Sequence, residues 1–172
     1  MANFKEDLKK VKAFAFDVDG VLSAYIFLNP DGEQVRSMNM KDGYALQLAV
    51  KKGYPVAIIT GSHTESIKMR FEGLGITDIY LGSSEKKNDF IDFCFKYDLG
   101  PEVVMFMGDD VPDYEVMKMA GIPTCPVNAA EDIKPLARYI SAFKGGEGCV
   151  RDVIEQVLRA QNKWMDKDAF DW

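Results

Sequence analysis

Three short, strongly apolar runs recur along the chain, and helix-like segments lie between them. The runs are "KAFAFD" (12–17), "PVAIIT" (55–60) and "EVVMFMG" (102–108). Segments such as "DGYALQLAVKKG" (42–53) and "KKNDFIDFCFKYDLG" (86–100) show instead the 3.6-residue apolar period of helices. Strands that alternate with helices in this way form a parallel sheet that is covered on both faces. The sequence therefore predicts an α/β fold, with a Rossmann-like parallel sheet sandwiched by helices.

One segment, "YIFLNPDGEQVRSMN" (25–39), departs from this alternation. Its turn-forming "NPDG" lies between two short runs, which predicts a β-hairpin that protrudes from the sheet. The chain has 172 residues, a length that supports one substantial hydrophobic core. We therefore expect a single domain over residues 1–172.

Charge and cysteine content narrow the classes of partner and the compartment. The net charge of −6 argues against nucleic acid or an anionic membrane as the main partner. A small anionic substrate remains compatible with this charge, because a metal ion reverses the local field.

Cys94, Cys125 and Cys149 show no zinc-binding spacing and are typical of reduced thiols. The charged start "MANFKEDLKK" lacks the apolar stretch of a signal peptide, and no run is long enough for a membrane span. We expect a cytoplasmic protein.

Polar groups follow directly on each of the three apolar strands. In chain order they are Asp17, Asp19 and Gly20; Thr60, Gly61 and Ser62; and Asp109, Asp110 and Asp113. Because the carboxyl ends of parallel strands meet at one edge of the sheet, these groups are expected to share one crevice. Crowded carboxylates repel one another unless a cation lies between them, and an all-oxygen ligand set favours Mg²⁺. Three independent acidic loops are the simpler alternative, but each loop follows a buried strand and none carries a compensating basic run.

Lys86 and Lys87 begin the helix that precedes the third apolar strand. A cation at the start of a helix opposes the helix dipole, so one of these lysines is expected to have an anionic partner outside the helix. Lys86 shares a helical face with Phe90 and Phe93, and Lys87 fits the same periodicity almost as well. The periodicity therefore leaves open which lysine faces the crevice.

The segments "DVDGVLS", "ITGS", "EKK" and "GDDVPD" follow one another in this order on these elements. Together they resemble the four motifs of the haloacid dehalogenase-like phosphohydrolases, over roughly residues 14–113. The resemblance implies that Asp17 takes the phosphoryl group as an aspartyl phosphate. It also implies that Asp19 donates a proton to the leaving oxygen and then activates water. Relatives that cleave carbon–halogen bonds do not need the second acid, so Asp19 favours phosphoryl transfer.

The resemblance also implies the other roles in the site. The phosphoryl oxygens would be held by Thr60 and by Lys86, whose spacing to "GDD" matches the family. Mg²⁺ would be bound at two strand ends, by the carboxylates of Asp17 and Asp109 and the backbone carbonyl of Asp19. The acidic residues that support these ligands would be Asp110 and Asp113. The small residues that line the substrate site would be Gly20, Gly61 and Ser62.

Many members of this superfamily carry a cap domain inserted after the first or second motif. Here a hairpin and one helix account for residues 20–59, and one helix and one strand account for residues 61–85, so no cap domain fits. A capless site is open, which suits a macromolecular substrate or closure by another subunit. The four consecutive large apolar residues 25–28 would be exposed on a monomer, which favours an oligomer.

Two further segments narrow the resemblance. "MNMKDGYALQLA" (38–49) and "GGEGCVRDVIEQVL" (145–158) are similar to the capless phosphatases of 3-deoxy-sugar acid phosphates. That group implies Mg²⁺, a small-molecule sugar-acid phosphate and a homotetramer whose neighbouring subunits complete the site. The first choice of substrate is 3-deoxy-D-manno-octulosonate (KDO) 8-phosphate, although Lys41 stands where relatives often have Arg. The candidate contacts to the sugar or its carboxylate are Lys41, Ser62, His63 and Arg70, of which Arg70 would reach a neighbour's site and His63 is more typical of a loop.

Three other functions remain open at this point. A phosphatase of a nine-carbon ulosonate 9-phosphate, derived from KDN or sialic acid, would keep the same chemistry. A non-catalytic oligomerisation module would have lost the catalytic chemistry. This alternative is disfavoured because the chain keeps Asp17, Asp19, Lys86 and Asp109. A mutase must exclude water from its phosphoenzyme, and a chain without a cap is poorly suited to that.

Overall fold

A six-stranded sheet forms the centre of the protein, in a computed structural model that describes residues 3–170. The strand order is β5-β4-β1-β6-β7-β8, and every neighbouring pair is parallel. The strands are β1 (Ala13–Phe16), β4 (Val56–Ile59), β5 (Asp78–Tyr80), β6 (Val104–Met107), β7 (Ile122–Cys125) and β8 (Tyr139–Ile140). The predicted parallel α/β sheet is confirmed.

Helices cover both faces of this sheet. They are α1 (Phe4–Asp7), α2 (Met40–Lys51), α3 (Glu65–Glu72), α4 (Lys86–Lys96), α5 (Tyr114–Met119) and α6 (Cys149–Ala160). On β1, Phe14 and Phe16 belong to the core shared with α2, α3 and α6. Ala13 and Ala15 belong to the core shared with α4 and α5. All four side chains are fully buried, as expected of a central parallel strand that alternates between two covered faces. Among residues 3–170, no helix combines the length and apolarity that crossing a bilayer requires.

The order of the strands fixes where a ligand can bind. From β1 the chain continues to β4 and β5 on one side, and it returns to β6, β7 and β8 on the other side. The carboxyl end of β1 is therefore flanked by the ends of β4 and β6, at the point where strand order reverses. Crevices for ligands in open α/β sheets form at such a point.

The hairpin is a separate two-stranded sheet, formed by β2 (Ile26–Leu28) and β3 (Gln34–Arg36). Its apolar side chains have little of their own chain to pack against: Leu28 is 73% exposed and Phe27 is 54% exposed. In the described part of the chain, only this hairpin and α2 lie between β1 and β4. The predictions of a protruding hairpin and of no cap domain are confirmed.

Two local features complete the description of the fold. α5 begins only at Tyr114, because residues 111–113 form a 3₁₀ turn whose first backbone N–H is capped by the side chain of Asp110 at 2.8 Å. The polar tail docks on α2 up to residue 170: the Tyr44 hydroxyl donates to the Ala169 carbonyl at 2.5 Å, and Lys52 pairs with Asp168 at 2.6 Å. Residues 171–172 of the tail lie outside the described part.

Candidate active site

The ends of β1, β4 and β6 enclose a cleft of about 400 Å³. Its lining includes the polar residues that follow all three strands, together with the lysine that begins α4. These residues are Asp17, Asp19, Thr60, Gly61, Ser62, Ser83, Lys86, Asp109, Asp110, Pro112 and Asp113. The structure thus brings together the residues of all four sequence motifs in one cleft.

Asp17 lies at the floor of the cleft, directly after β1. It is 6% exposed, and its Oδ1 accepts a hydrogen bond from the backbone N–H of Val18 at 2.7 Å. The ammonium group of Lys86 lies 2.9 Å from the same oxygen. Asp17 Oδ2 has no hydrogen-bond partner among residues 3–170, which leaves it available to an incoming group. Burial, reinforced by the charge of Asp113, raises the pKa of Asp17 to about 8 against the opposing effect of Lys86.

Lys86, and not Lys87, faces the cleft. Its buried ammonium group bridges Asp17 at 2.9 Å and Asp113 at 2.7 Å. Burial by itself would lower the pKa of Lys86, but the two carboxylates outweigh it and the pKa is raised. Lys87 is half-buried and does not line the cleft. The unfavourable position of a cation at a helix start is thus offset by two carboxylates on other elements.

Asp109 and Asp113 come from the loop that follows β6. Asp113 is 1% exposed, and its Oδ2 accepts the backbone N–H of Asp109 at 2.9 Å. Asp109 Oδ1 is buried and has no hydrogen-bond partner among the described residues. Burial, with the charges of Asp113 and Asp110, raises the pKa of Asp109 to about 7. A buried carboxylate oxygen without a partner is costly unless a cation or a donor meets it.

This carboxylate cluster fits a divalent cation. One carboxylate oxygen from each of Asp17, Asp109 and Asp113 can be chosen so that all lie within 4.8 Å of one another. The donor set is entirely oxygen, as Mg²⁺ prefers, and the partnerless Oδ1 of Asp109 supplies a free ligand atom. Asp113 is already bonded to Lys86 and to the Asp109 backbone, which is compatible with its predicted supporting role; the assignment of Asp17 and Asp109 as ligands stays a prediction.

Gly20 allows the loop after β1 to approach Asp109 closely. Its φ of +91° lies in the left-handed region, and a Cβ at this position would lie 2.6 Å from Asp109 Oδ1. Only glycine accommodates both constraints. The close approach places the Asp19–Gly20 peptide beside the carboxylate cluster.

Comparisons with known proteins agree with this geometry. A family model described as a haloacid dehalogenase-like hydrolase matches residues 73–153. A curated relative from Escherichia coli (strain K12), "3-deoxy-D-manno-octulosonate 8-phosphate phosphatase KdsC", is 36% identical over 156 residues, which cover 90% of this chain and 83% of the relative. The chain belongs to the haloacid dehalogenase-like hydrolases.

Two solved structures of that group superpose closely on this hydrolase. One is the 3-deoxy-D-manno-octulosonate 8-phosphate phosphatase of Moraxella catarrhalis, in complex with magnesium ion, phosphate ion and KDO. It has a TM-score of 0.90 and 34% identity, and it covers 96% of this chain and 94% of its own. The other, from Yersinia pestis, has a TM-score of 0.90 and 33% identity, and it covers 92% of this chain and 86% of its own.

Asp19 has a partner that sequence reasoning missed. Arg36 of the hairpin strand β3 donates from Nε to Asp19 Oδ1 at 2.6 Å and from Nη2 to Oδ2 at 3.0 Å. Its Nη1 donates to Thr64 Oγ1 at 3.2 Å, and the Arg36 side chain is only 5% exposed. The signal in the sequence was that Arg36 is the only basic residue in the hairpin segment 25–39. The tilt of the hairpin, which brings Arg36 over the cleft, is not encoded in that local pattern.

Thr60, Gly61 and Ser62 continue the cleft lining from β4. Thr60 is 1% exposed, and its Oγ1 accepts the backbone N–H of Ser62 at 3.2 Å. His63 is exposed and lines an adjoining groove together with Asp19 and Arg36. This haloacid dehalogenase-like site therefore opens directly onto a second, more exposed groove.

Lys41 and Arg70 do not reach the carboxylates within one chain. Lys41 is exposed and lines a separate groove of about 670 Å³ against α6. Arg70 packs beside Gly43, where a Cβ would lie 2.6 Å from its Nη2. It lines a third groove with Arg36 and Met38. The predicted contacts of Lys41 and Arg70 with the sugar or its carboxylate stay predictions.

Proposed function

We propose that this protein hydrolyses KDO 8-phosphate to KDO and inorganic phosphate, with Mg²⁺ as its cofactor. The observation that carries the proposal is the buried Asp17–Lys86–Asp113 cluster beside Asp19 and Asp109, in a chain that matches KDO 8-phosphate phosphatases over nine-tenths of its length. The match extends to a structure titled as a complex with magnesium, phosphate and KDO. The cluster also disfavours a purely structural role, because buried carboxylates without a ligand cost free energy.

In the first half of the reaction, Asp17 attacks phosphorus. Its Oδ2, which has no hydrogen-bond partner among residues 3–170, forms the new bond to phosphorus while the bond to the sugar oxygen breaks. Asp19 donates a proton to that departing oxygen, so that the sugar leaves as an alcohol. The product on the protein is an aspartyl phosphate.

In the second half, Asp19 works as a base. It takes a proton from a water molecule whose oxygen attacks phosphorus, the bond from phosphorus to Asp17 breaks, and phosphate leaves. Lys86 and the Thr60 hydroxyl stabilise the charge that spreads over the phosphoryl oxygens in both steps. Asp17, Asp109 and the backbone carbonyl of Asp19 would hold Mg²⁺, which would supply positive charge to offset the negative charge of the phosphoryl group.

The proposal includes a homotetramer of single-domain chains, in the cytoplasm. The exposed apolar residues of β2 support assembly, because monomers rarely expose such a contiguous patch. Assembly would also bring Lys41 or Arg70 of one chain to a neighbour's cleft. The three cysteines in the described residues are buried and unpaired, as in a reducing compartment.

Phosphate release from a panel of sugar phosphates tests the proposed function. The panel contains KDO 8-phosphate, a nine-carbon ulosonate 9-phosphate and hexose 6-phosphates, each with Mg²⁺ and with EDTA. We expect strong preference for KDO 8-phosphate, which is lost with EDTA and in Asp17→Asn. Asp31→Asn, the same change in the exposed hairpin turn, is the matched control and should behave as wild type. Preference for the nine-carbon acid would refute the substrate, and no release from any compound would refute the phosphatase function.

A further inference from the structure

The segment Gly145–Gly146, between β8 and α6, packs directly against the loop that follows β1. Gly145 is buried, and a Cβ at this position would lie 2.5 Å from the carbonyl carbon of Gly20 and closer still to its oxygen. Gly146 has a φ of +71° and donates its backbone N–H to the Val21 carbonyl at 2.7 Å. The two loops are therefore in backbone-to-backbone contact, with no space for a side chain between them.

The contact continues from Gly20 to the carboxylate cluster. On the side of Asp109, a Cβ at Gly20 would lie 2.6 Å from Oδ1. Gly145, the Gly20–Val21 peptide and the Asp109 carboxylate thus form a stack whose last member is a side chain, so a displacement of the backbone also changes the position of this carboxylate. Because the Gly20 Cα joins the Gly20–Val21 peptide to the Asp19–Gly20 peptide, the same shift also moves the Asp19 carbonyl.

A second connection joins the same partners through the loop that follows β7. The backbone N–H of Gly145 donates to Asn128 Oδ1 at 2.9 Å. Two residues later, the N–H of Ala130 donates to the Asp109 carbonyl at 2.8 Å. The loop after β7 therefore holds Gly145 at one end and Asp109 at the other, so the loops that follow β1, β6, β7 and β8 form one connected frame.

We propose that Gly145 is a positioning residue for the metal ligands: it sets the distance between the Asp19–Gly20 peptide and Asp109. It touches neither substrate nor reacting atoms, and it acts only through Gly20. The inference rests on the proposed function, since it concerns the Mg²⁺ site assigned there. Gly145 follows all four motifs in the sequence, and it thereby determines the geometry of the first motif.

Gly145→Ala tests this inference, with Gly121→Ala as a matched control. Unbonded carbon and oxygen atoms stay about 3.3–3.6 Å apart, so an added Cβ at 145 must push the Gly20 peptide away. Gly121 lies before the amino end of β7, at the opposite edge of the sheet, and a Cβ there would lie 2.5 Å from the carbonyl carbon of Glu102. Neither glycine has a left-handed φ, so both variants introduce the same kind of backbone clash, but only one introduces it beside the cleft.

The readouts are Mg²⁺ binding by titration calorimetry, kcat and KM for KDO 8-phosphate, and the melting temperature. In Gly145→Ala we expect Mg²⁺ affinity and kcat each to fall by about 10–100-fold, the scale for residues that orient metal ligands. The KM should change by less than about threefold, because Thr60 and Lys86 are carried by other elements and are not displaced. Gly121→Ala should have a lower melting temperature than wild type, with unchanged Mg²⁺ affinity and unchanged kcat. Equal losses in both variants, or unchanged Mg²⁺ affinity in Gly145→Ala, would overturn the inference.

Asn128→Ala covers the case in which Gly145→Ala does not fold. Asn128 is exposed, so its truncation introduces no clash and removes only the acceptor of the Gly145 N–H. A loss of about threefold or more in Mg²⁺ affinity supports the inference, and unchanged affinity overturns it. Because calorimetry needs no turnover, a wild-type protein that binds Mg²⁺ but releases no phosphate refutes the proposed function without deciding the role of Gly145.

Discussion

The cleft and the hairpin lie side by side, but they are stabilised in different ways. In the cleft, buried charges from several strands satisfy one another, as when Lys86 bridges Asp17 and Asp113. In the hairpin, large apolar side chains such as Leu28 remain exposed, and few contacts with the chain's own core hold them. Arg36 connects the two regions, because it extends from the hairpin strand to Asp19.

This contrast shows that the residues of the cleft are brought together within one chain, whereas the apolar side chains of the hairpin stay uncovered in one chain. The groups assigned to phosphoryl transfer all follow sheet strands or begin a helix packed on the sheet, so their geometry depends on the core. The conformation of the hairpin depends on Arg36 and on whatever covers its apolar residues. Substitutions in the cleft and in the hairpin separate these two dependences.

The largest effect is expected from Lys86→Ala in the cleft. It removes the cation that faces both Asp17 and the phosphoryl oxygens, so kcat/KM should fall by about 10²–10³-fold. Lys87→Ala removes the same charge one residue later, outside the cleft, and should stay within about threefold of wild type. Steady-state kinetics on KDO 8-phosphate decides the point. If the two variants lose activity equally, the assignment of Lys86 is wrong.

A smaller effect is expected from Arg36→Gln, which breaks the connection between the two regions. Without the guanidinium, the Asp19 carboxylate is free to rotate, and we expect kcat to fall by about tenfold. Arg36→Lys should recover little of it, because lysine lacks the planar fork that meets both carboxylate oxygens. The control is Arg159→Gln, the same change in an exposed arginine that pairs with Glu155. A faster Arg36→Gln enzyme would show that the ion pair restrains Asp19 rather than aligning it.

Metal removal should make the stability of the cleft depend on pH. Asp109 and Asp17, with pKa values of about 7 and about 8, bind protons more tightly in the folded chain than in the unfolded chain. The unfolded value is about 3.9, so stability falls as pH rises from about 4 to about 8. In EDTA, the melting temperature should fall by about 3–5 °C per pH unit for each carboxyl group that is protonated in the folded chain and ionised in the unfolded chain.

Two comparisons check this pH dependence. Excess Mg²⁺ should remove it, and the gain in melting temperature on adding Mg²⁺ should be larger at pH 8 than at pH 6. Asp109→Asn should make the slope in EDTA shallower, because one of the two groups no longer titrates. A melting temperature in EDTA that stays constant or rises between pH 6 and pH 8 would contradict the raised pKa values.

The smallest effect on the fold is expected from Phe27→Asp combined with Leu28→Asp. Both side chains are exposed on the single chain, so the melting temperature should change by no more than about 2–4 °C. Analytical ultracentrifugation should show dissociation of the proposed tetramer. Phe95→Asp is the control, because Phe95 is 85% exposed on α4, away from the hairpin. Dissociation by the control and not by the hairpin variant would place the interface elsewhere.

The sheet and most of the cleft lining were predictable from the sequence because their signals are local. Burial on both faces makes β1 continuously apolar, and Asp17 follows directly where this apolar run ends. Arg36 was not predictable, since its contact depends on how a hairpin tilts relative to a strand end 17 residues earlier. The contact of the tail with Lys52 was not predictable for a related reason, because its partner Asp168 lies 116 residues away. The periodicity did not distinguish Lys86 from Lys87, which differ by a rotation about the helix axis that only packing fixes.

The two faces of β1 divide the volume of the core unequally. Phe14 and Phe16 fill the space on the side of α2 and α6, whereas Ala13 and Ala15 on the other side leave that space to Phe90 and Phe93 of α4. The alanines therefore act as spacers that set the thickness of this layer, and α4 begins with Lys86. A larger residue at position 15 would move α4 outward and lengthen the reach from Lys86 to Asp17, so the bulk of a side chain buried in the sheet adjusts a distance in the cleft.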